Sequence, residues 1–131
     1  MQEIIEFLNE NGPFFLATTD GDQPKIRPLG FVMDYNGKLC FCTNNQKEMY
    51  RQMKANPKVQ LSCSNKTGVT LRITGDASFI TTPEAQQKAL DIMPGLSGMY
   101  SVGDGIFEVF SLKNASAYFC TMQGEKTVVD I

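Results

Sequence analysis

Three cations stand at spacings that suit an anionic ligand. Lys25 and Arg27 are two residues apart in "KIRPLGFV", so as part of a strand they share one face. Lys47 follows "FCTNN", where a strand ending in Thr43 and Asn44 gives way to a helical pattern. A helix N-terminus carries partial positive charge and ordinarily draws acids, so a lysine in its first turn calls for a partner. A phosphate would satisfy both the free N–H groups and the cation. Taken alone, Lys47 reads either as that anion ligand or as a tolerated surface lysine. Thr43 and Asn44 add hydrogen-bonding groups at the junction, an asparagine can cap the helix, and Glu48 can return to the cap. Along the helix Lys47, Arg51 and Lys54 form an outward stripe, while Met49, Tyr50 and Met53 can face the core. Arg51 and Lys54 read as solvated.

The strand holding Arg27 has a second property. Pro28 removes a ladder donor and Gly30 removes a side chain, which suits either a bulged edge or a flat group lying against the backbone. An aromatic ring lying against the strand at Pro28 and Gly30 fits the second case.

Other chemistry is constrained by what the chain contains. It has no histidine, which excludes Ser-His and Cys-His nucleophile pairs and a His-ligated haem. Cys40, Cys42, Cys63 and Cys120 all lie in apolar, strand-like segments, as reduced buried thiols do. Their spacing matches no common zinc pattern, so no metal site is expected. A net charge of -2 with both signs interspersed offers no field for nucleic acid or an anionic membrane. The opening "MQEIIEFLNENGPFF" has no basic leader and no apolar run reaches membrane-spanning length, so a soluble cytoplasmic protein is expected.

The elements that must position these residues follow from periodicity and turn chemistry. With 131 residues, 42% of them apolar and 20% charged, one domain spanning 1–131 is expected. Residues 3–11 carry Ile4, Ile5, Phe7 and Leu8 at helical spacing before Asn11-Gly12-Pro13 stops them. "FFLATT" is a strand, "DGDQ" its turn, and "PKIRPLGFVMDY" a single longer strand. Asn36-Gly37 is a strong hairpin signal that sets "KLCFCT" antiparallel to it. A helix over 46–55 ends at "NP", and "KVQLSCS" and "VTLRITGDASFI" are strands joined by "NKTG". The latter alternates Val69, Leu71, Ile73 and Ala77 against Thr70, Arg72, Thr74, Asp76 and Ser78. Thr82-Pro83-Glu84 starts a helix that runs to about Met93. The glycine-rich "PGLSGMYSVGDG" then leads into the strand-like "IFEVFSLKNASAYFCT". These elements predict a mainly β fold, an antiparallel sheet closed or nearly closed into a small barrel with flanking helices.

The order "IRPLGFV", "NGKLCFCTNNQKEMYRQMKANPKVQLSC", "VTLRITGDASFI" resembles the pyridoxamine 5'-phosphate oxidase-like family of FMN-binding split β-barrels, especially its short general-stress-protein-like members. The resemblance runs from about Phe14 to the last strand and rests on a pattern of strands with a few polar positions. It implies a homodimer with FMN at the subunit interface. By position, Arg27, Thr43, Asn44 and Lys47 would hold the phosphate and ribityl chain, and Pro28, Leu29 and Gly30 would run beside the isoalloxazine. Arg72, on the polar face of "TLRIT", would reach the cofactor from a neighbouring strand or the partner chain, or else form an interface salt bridge.

The chain also departs from that family. Pyridoxamine phosphate oxidases proper grip their substrate with a C-terminal arginine and histidine, whereas this chain has no histidine and ends in "TVVDI". The implied chemistry is therefore flavin-mediated hydride or electron transfer to an unknown small molecule, and not the oxidation of pyridoxamine phosphate. No catalytic acid or base is identified. Tyr100 and Asp104 would either line the substrate side or belong to a connecting loop. A non-enzymatic flavin-binding or storage module, an empty dimeric scaffold, and a barrel using the deazaflavin F420 are the alternative readings.

Overall fold

The computed structural model describes residues 1–131. In chain order the elements are α1 (Gln2–Glu10), β1 (Phe14–Asp20), β2 (Gln23–Leu29), β3 (Met33–Tyr35), β4 (Lys38–Asn44), α2 (Glu48–Ala55), β5 (Lys58–Ser64), β6 (Thr70–Phe79), α3 (Pro83–Ile92), a short 3-10 helix (Pro94–Gly98), β7 (Phe107–Cys120) and β8 (Lys126–Val129). The expected hairpins form. Asn36 and Gly37 take positive φ (53° and 77°) and set β3 antiparallel to β4, with Met33 opposite Cys40. Gly21, also at positive φ, turns β1 into β2.

All eight strands belong to one antiparallel sheet, ordered β2-β1-β5-β6-β7-β4-β3, with β8 pairing β7. The two ends of that strand order, β2 and β3, are consecutive in the chain and joined only by Gly30, Phe31 and Val32. So short a link keeps the edges close together and curls the sheet toward closure, a split-barrel arrangement. The single strand expected from Pro24 to Tyr35 is thus broken. Both halves have strand composition, yet they end on opposite edges of the sheet.

Inside the curve, Phe14, Leu16, Phe41, Leu61, Leu71, Ile73 and Phe110 are almost fully buried, and Ile4 and Leu8 of α1 pack with them. A second cluster, Met33, Cys40, Phe107 and Val109, lies on the other face and is covered by Ala85 and Ala89 of α3. Thr82 caps α3 through its hydroxyl, which accepts from the Ala85 N–H at 3.1 Å, and Pro83 opens the first turn as expected. No helix is long and apolar enough to cross a membrane.

Candidate functional site

The break between β2 and β3 opens a cleft at one end of the sheet, beside the start of α2. One part, about 460 Å³, is lined by Lys25, Arg27, Pro28, Leu29, Lys47 and Glu48 among others. A second part, about 250 Å³, shares Pro28, Leu29 and Lys47 and continues to Gly30, Thr43, Met93, Leu96, Met99 and Tyr100. One end therefore concentrates cations and the other is walled by thioethers, a leucine and an aromatic ring.

Strand register explains the cationic end. Lys25, Arg27 and Leu29 stand opposite Thr18, Leu16 and Phe14 and so share their face. Arg27 Nη1 donates to Leu16 O (3.2 Å) and Thr18 Oγ1 (2.8 Å), and Nη2 donates to Gln52 Oε1 (2.8 Å). Burial lowers the pKa of this guanidinium, and the charge of Glu48 opposes that shift.

Lys47 is placed differently from the expectation. It is the N-cap of α2, one position before the first helical residue, and Glu48 occupies the first turn, where an acid is favoured. The helix starts late because Asn44 Oδ1 accepts from the Gln46 N–H at 3.0 Å, a local turn that competes with helix. The reciprocal cap with Glu48 is not made, and no side chain caps the helix. Its N-terminus is left open toward the lysine.

Thr43 lies on the inward face of β4, only 4% exposed, and its Oγ1 has no hydrogen-bond partner. A buried hydroxyl without a partner is costly and points to a missing one. A Cβ built on Gly30, which lines the same cleft, would meet no atom within 4 Å, so the glycine leaves open space there. Asn44, the remaining polar residue of the junction, donates from Nδ2 to the Tyr100 hydroxyl at 2.7 Å.

The glycine-rich segment is ordered by specific bonds. Tyr100 stacks on Phe107 (centroids 4.6 Å apart, planes 12° apart) and lines the cleft. Asp104 does not reach the cleft. Its carboxylate accepts from the N–H groups of Phe107, Ile106 and Ser101, which holds its pKa below the usual carboxylate range. Gln86 of α3 completes the fastening, accepting from the Gly103 N–H and donating to Phe107 O.

The structure brings Arg27, Pro28, Leu29, Gly30, Thr43 and Lys47 to one cleft, with Asn44 at its margin, and leaves Arg72 elsewhere in the chain. Arg72 projects from the outer face of the sheet. It lies in a cross-strand row of Pro28, Phe15, Ser62, Arg72, Tyr118 and Val128. Sequence reasoning missed Gln52, which sits on the buried face of α2 among methionines and bonds Arg27. Its signal was an uncharged polar residue at a core position of an amphipathic helix.

Residues 1–120 match the family model described as pyridoxamine 5'-phosphate oxidase. Among solved structures, a NimC/NimA family protein from Clostridium acetobutylicum is 42% identical over all of this chain and 92% of its own, with a TM-score of 0.94. General Stress Protein 26 from Bacillus anthracis is 17% identical over 98% of each chain (TM-score 0.75). A heme binding protein from Mycobacterium smegmatis is 15% identical over 95% of this chain and 55% of its own (TM-score 0.72). The last two show likeness of fold alone. No curated protein matches the sequence.

Proposed function

Because this chain belongs to the pyridoxamine 5'-phosphate oxidase family, we propose that it binds FMN in the cleft and, with the flavin reduced by a separate electron donor, passes hydride or electrons to a small molecule. The observation that carries this reading is the sorting of the cleft into a cationic end and an apolar end that share Pro28, Leu29 and Lys47. An FMN molecule is sorted the same way, with a dianionic phosphate at one end and a flat ring at the other.

The residues present fit that group. Lys47, the open N-terminus of α2 and the unused edge of Arg27 would hold the phosphate. The unpartnered Thr43 hydroxyl would bond the ribityl chain, and the backbone of Pro28 to Gly30 would support the ring. When bound, the flavin supplies the redox chemistry at its N5. The chain would orient it and exclude water with Met93, Leu96 and Met99, and Tyr100, its hydroxyl held by Asn44, would line the same wall. Oxidation of pyridoxamine phosphate is not the proposed reaction, since the chain has no histidine to grip that substrate.

A second copy of the chain completes the proposal. Phe15 and Ile26 leave 43% and 69% of their surface exposed on the outer face that also carries Arg72. Pairing two copies through this face covers the apolar side chains and makes Arg72 available to the partner's cofactor. Localisation in the cytoplasm, where the four free thiols stay reduced, fits the same reading.

The test is an absorbance spectrum of the purified protein followed by FMN titration of wild type, Lys47→Ala and Arg27→Ala, with sedimentation to size the complex. The expected result is a saturating flavin band, weakened in both variants, on a dimer. Unchanged affinity in both variants overturns the site. No flavin binding by wild type moves the cleft to another phosphate-bearing cofactor such as F420.

A further inference from the structure

The helix α2 buries Met49, Gln52 and Met53, a stripe in which two thioethers flank an amide that is only 1% exposed. Burying an amide here is costly unless its bonds serve a purpose. Gln52 Oε1 accepts from Thr18 Oγ1 at 2.6 Å and from Arg27 Nη2 at 2.8 Å, while Thr18 Oγ1 itself accepts from Arg27 Nη1 at 2.8 Å. The three side chains form a closed triangle. Within it, Thr18 Oγ1 and Gln52 Oε1 present two adjacent acceptors to the end of the guanidinium, much as the two oxygens of a carboxylate would.

Unlike a carboxylate, this pair is neutral. A guanidinium has five N–H groups. Nη1 spends both of its own, on Leu16 O and Thr18, and Nη2 spends one on Gln52. The Nε–H and the second Nη2–H are left, side by side along the edge that grips a phosphate with two parallel bonds. Gln52 thus immobilises Arg27 without cancelling its charge. The Gln52 amide orientation is fixed by the same pair, since turning it over would oppose its N–H groups to those of Arg27. Its Nε2 then has no partner, which is the cost of using Oε1 twice.

We infer that Gln52 is a positioning residue for anion binding, holding the free edge of Arg27 toward a phosphate in the cleft. The inference rests on the FMN reading above and assigns that site's phosphate selectivity to a residue that does not itself touch the ligand.

The test compares two probes, FMN and riboflavin, which differ only by the phosphate, in fluorescence-quenching titrations of the full chain. Wild type should prefer FMN. Gln52→Met, matched in volume, should lose roughly tenfold of that preference, as expected for a hydrogen bond to a charged group, while riboflavin affinity stays unchanged. Thr18→Val should act in the same direction, which keeps the test sound if one variant folds poorly. In an Arg27→Met background, Gln52→Met should have no further effect on the ratio. A structural role alone would weaken both probes together and would add to the Arg27 substitution. A wild type that prefers FMN while both triangle variants keep its ratio overturns the inference alone. A wild type with no preference overturns the phosphate reading and the inference with it.

Discussion

Asn44 Nδ2 donates to the hydroxyl of Tyr100 at 2.7 Å, joining residues 56 positions apart and pinning the glycine-rich segment to the strand end beside Lys47. The Tyr100 ring is held separately, stacked on the fully buried Phe107. Tyr100→Phe should therefore cost about 1 kcal/mol in a urea melt, the net worth of one neutral hydrogen bond, with the segment still in place. Tyr100→Ala should cost more and expose residues 94–105 to limited proteolysis. Equal losses in the two variants would show that the hydroxyl, not the ring, fastens the segment.

Local chemistry made much of this fold legible. Asn36-Gly37, Thr82-Pro83 and the alternation from Leu71 to Ile73 each specify their own element, and each formed where its residues stand. What stayed hidden depends on tertiary partners. Nothing local distinguishes a long strand over 24–35 from β2 and β3, because the break at Gly30 is decided by which sheet edge each half joins. The start of α2 slipped past Asn44 because that side chain bonded the Gln46 N–H instead of capping the helix. Six of the cleft residues were readable as strand and junction chemistry. Tyr100 was visible without its partner, and Gln52 looked like helix filler.

Thr43 offers a test in which stability and binding move in opposite directions. Its Oγ1 is buried and unpartnered, so Thr43→Val removes a desolvated hydroxyl and keeps the β-branched shape. The flavin-free protein should become more stable by about 1 kcal/mol. FMN and riboflavin should both bind more weakly, because in the proposed site the hydroxyl serves a part that the two share. Loss of stability without flavin would mean that the hydroxyl has a partner in solution.

Gly30 tests the open space beside the proposed ring position. A Cβ there meets nothing within 4 Å, so Gly30→Val leaves the fold intact while filling part of the cleft. Thermal melts should be nearly unchanged, and flavin affinity should fall by about tenfold or more, the effect of misplacing a bound ring. Wild-type affinity in this variant would put the ring elsewhere.

Asp104 sets an acid limit on the same region. Bonds from three backbone N–H groups lower its folded pKa beneath the ordinary 3.8. Such a group contributes stability above its unfolded pKa and loses it as pH falls through the folded one. Asp104→Asn should melt below wild type at neutral pH, and the difference should vanish in stronger acid. A gap that persists at pH values well under 3.8 would assign the effect to shape rather than charge.

The thiols of β4 act at the opposite end of the pH scale. Cys40 is fully buried, and its pKa is pushed from 9.0 up to about 11 by burial first, with the charge of Lys38 opposing. Cys42, two residues along and facing the cleft, is raised further, again by burial. The folded state keeps both protons while the unfolded chain releases them above about pH 9, so the unfolded state binds fewer protons there and stability falls as pH rises. Each thiol adds a slope of at most about 1.4 kcal/mol per pH unit until its folded pKa is reached. Cys40→Ala should remove part of the alkaline loss measured by urea melts between pH 8 and 10.5, and the Cys40→Ala/Cys42→Ala pair should remove more. The same protonation keeps both sulfurs poor nucleophiles, so native protein should react with iodoacetamide at neither position at pH 8, whereas unfolded protein reacts at both. Fast native labelling of Cys42 would mean that the cleft solvates its thiolate, and the alkaline slope would then shrink for that residue alone.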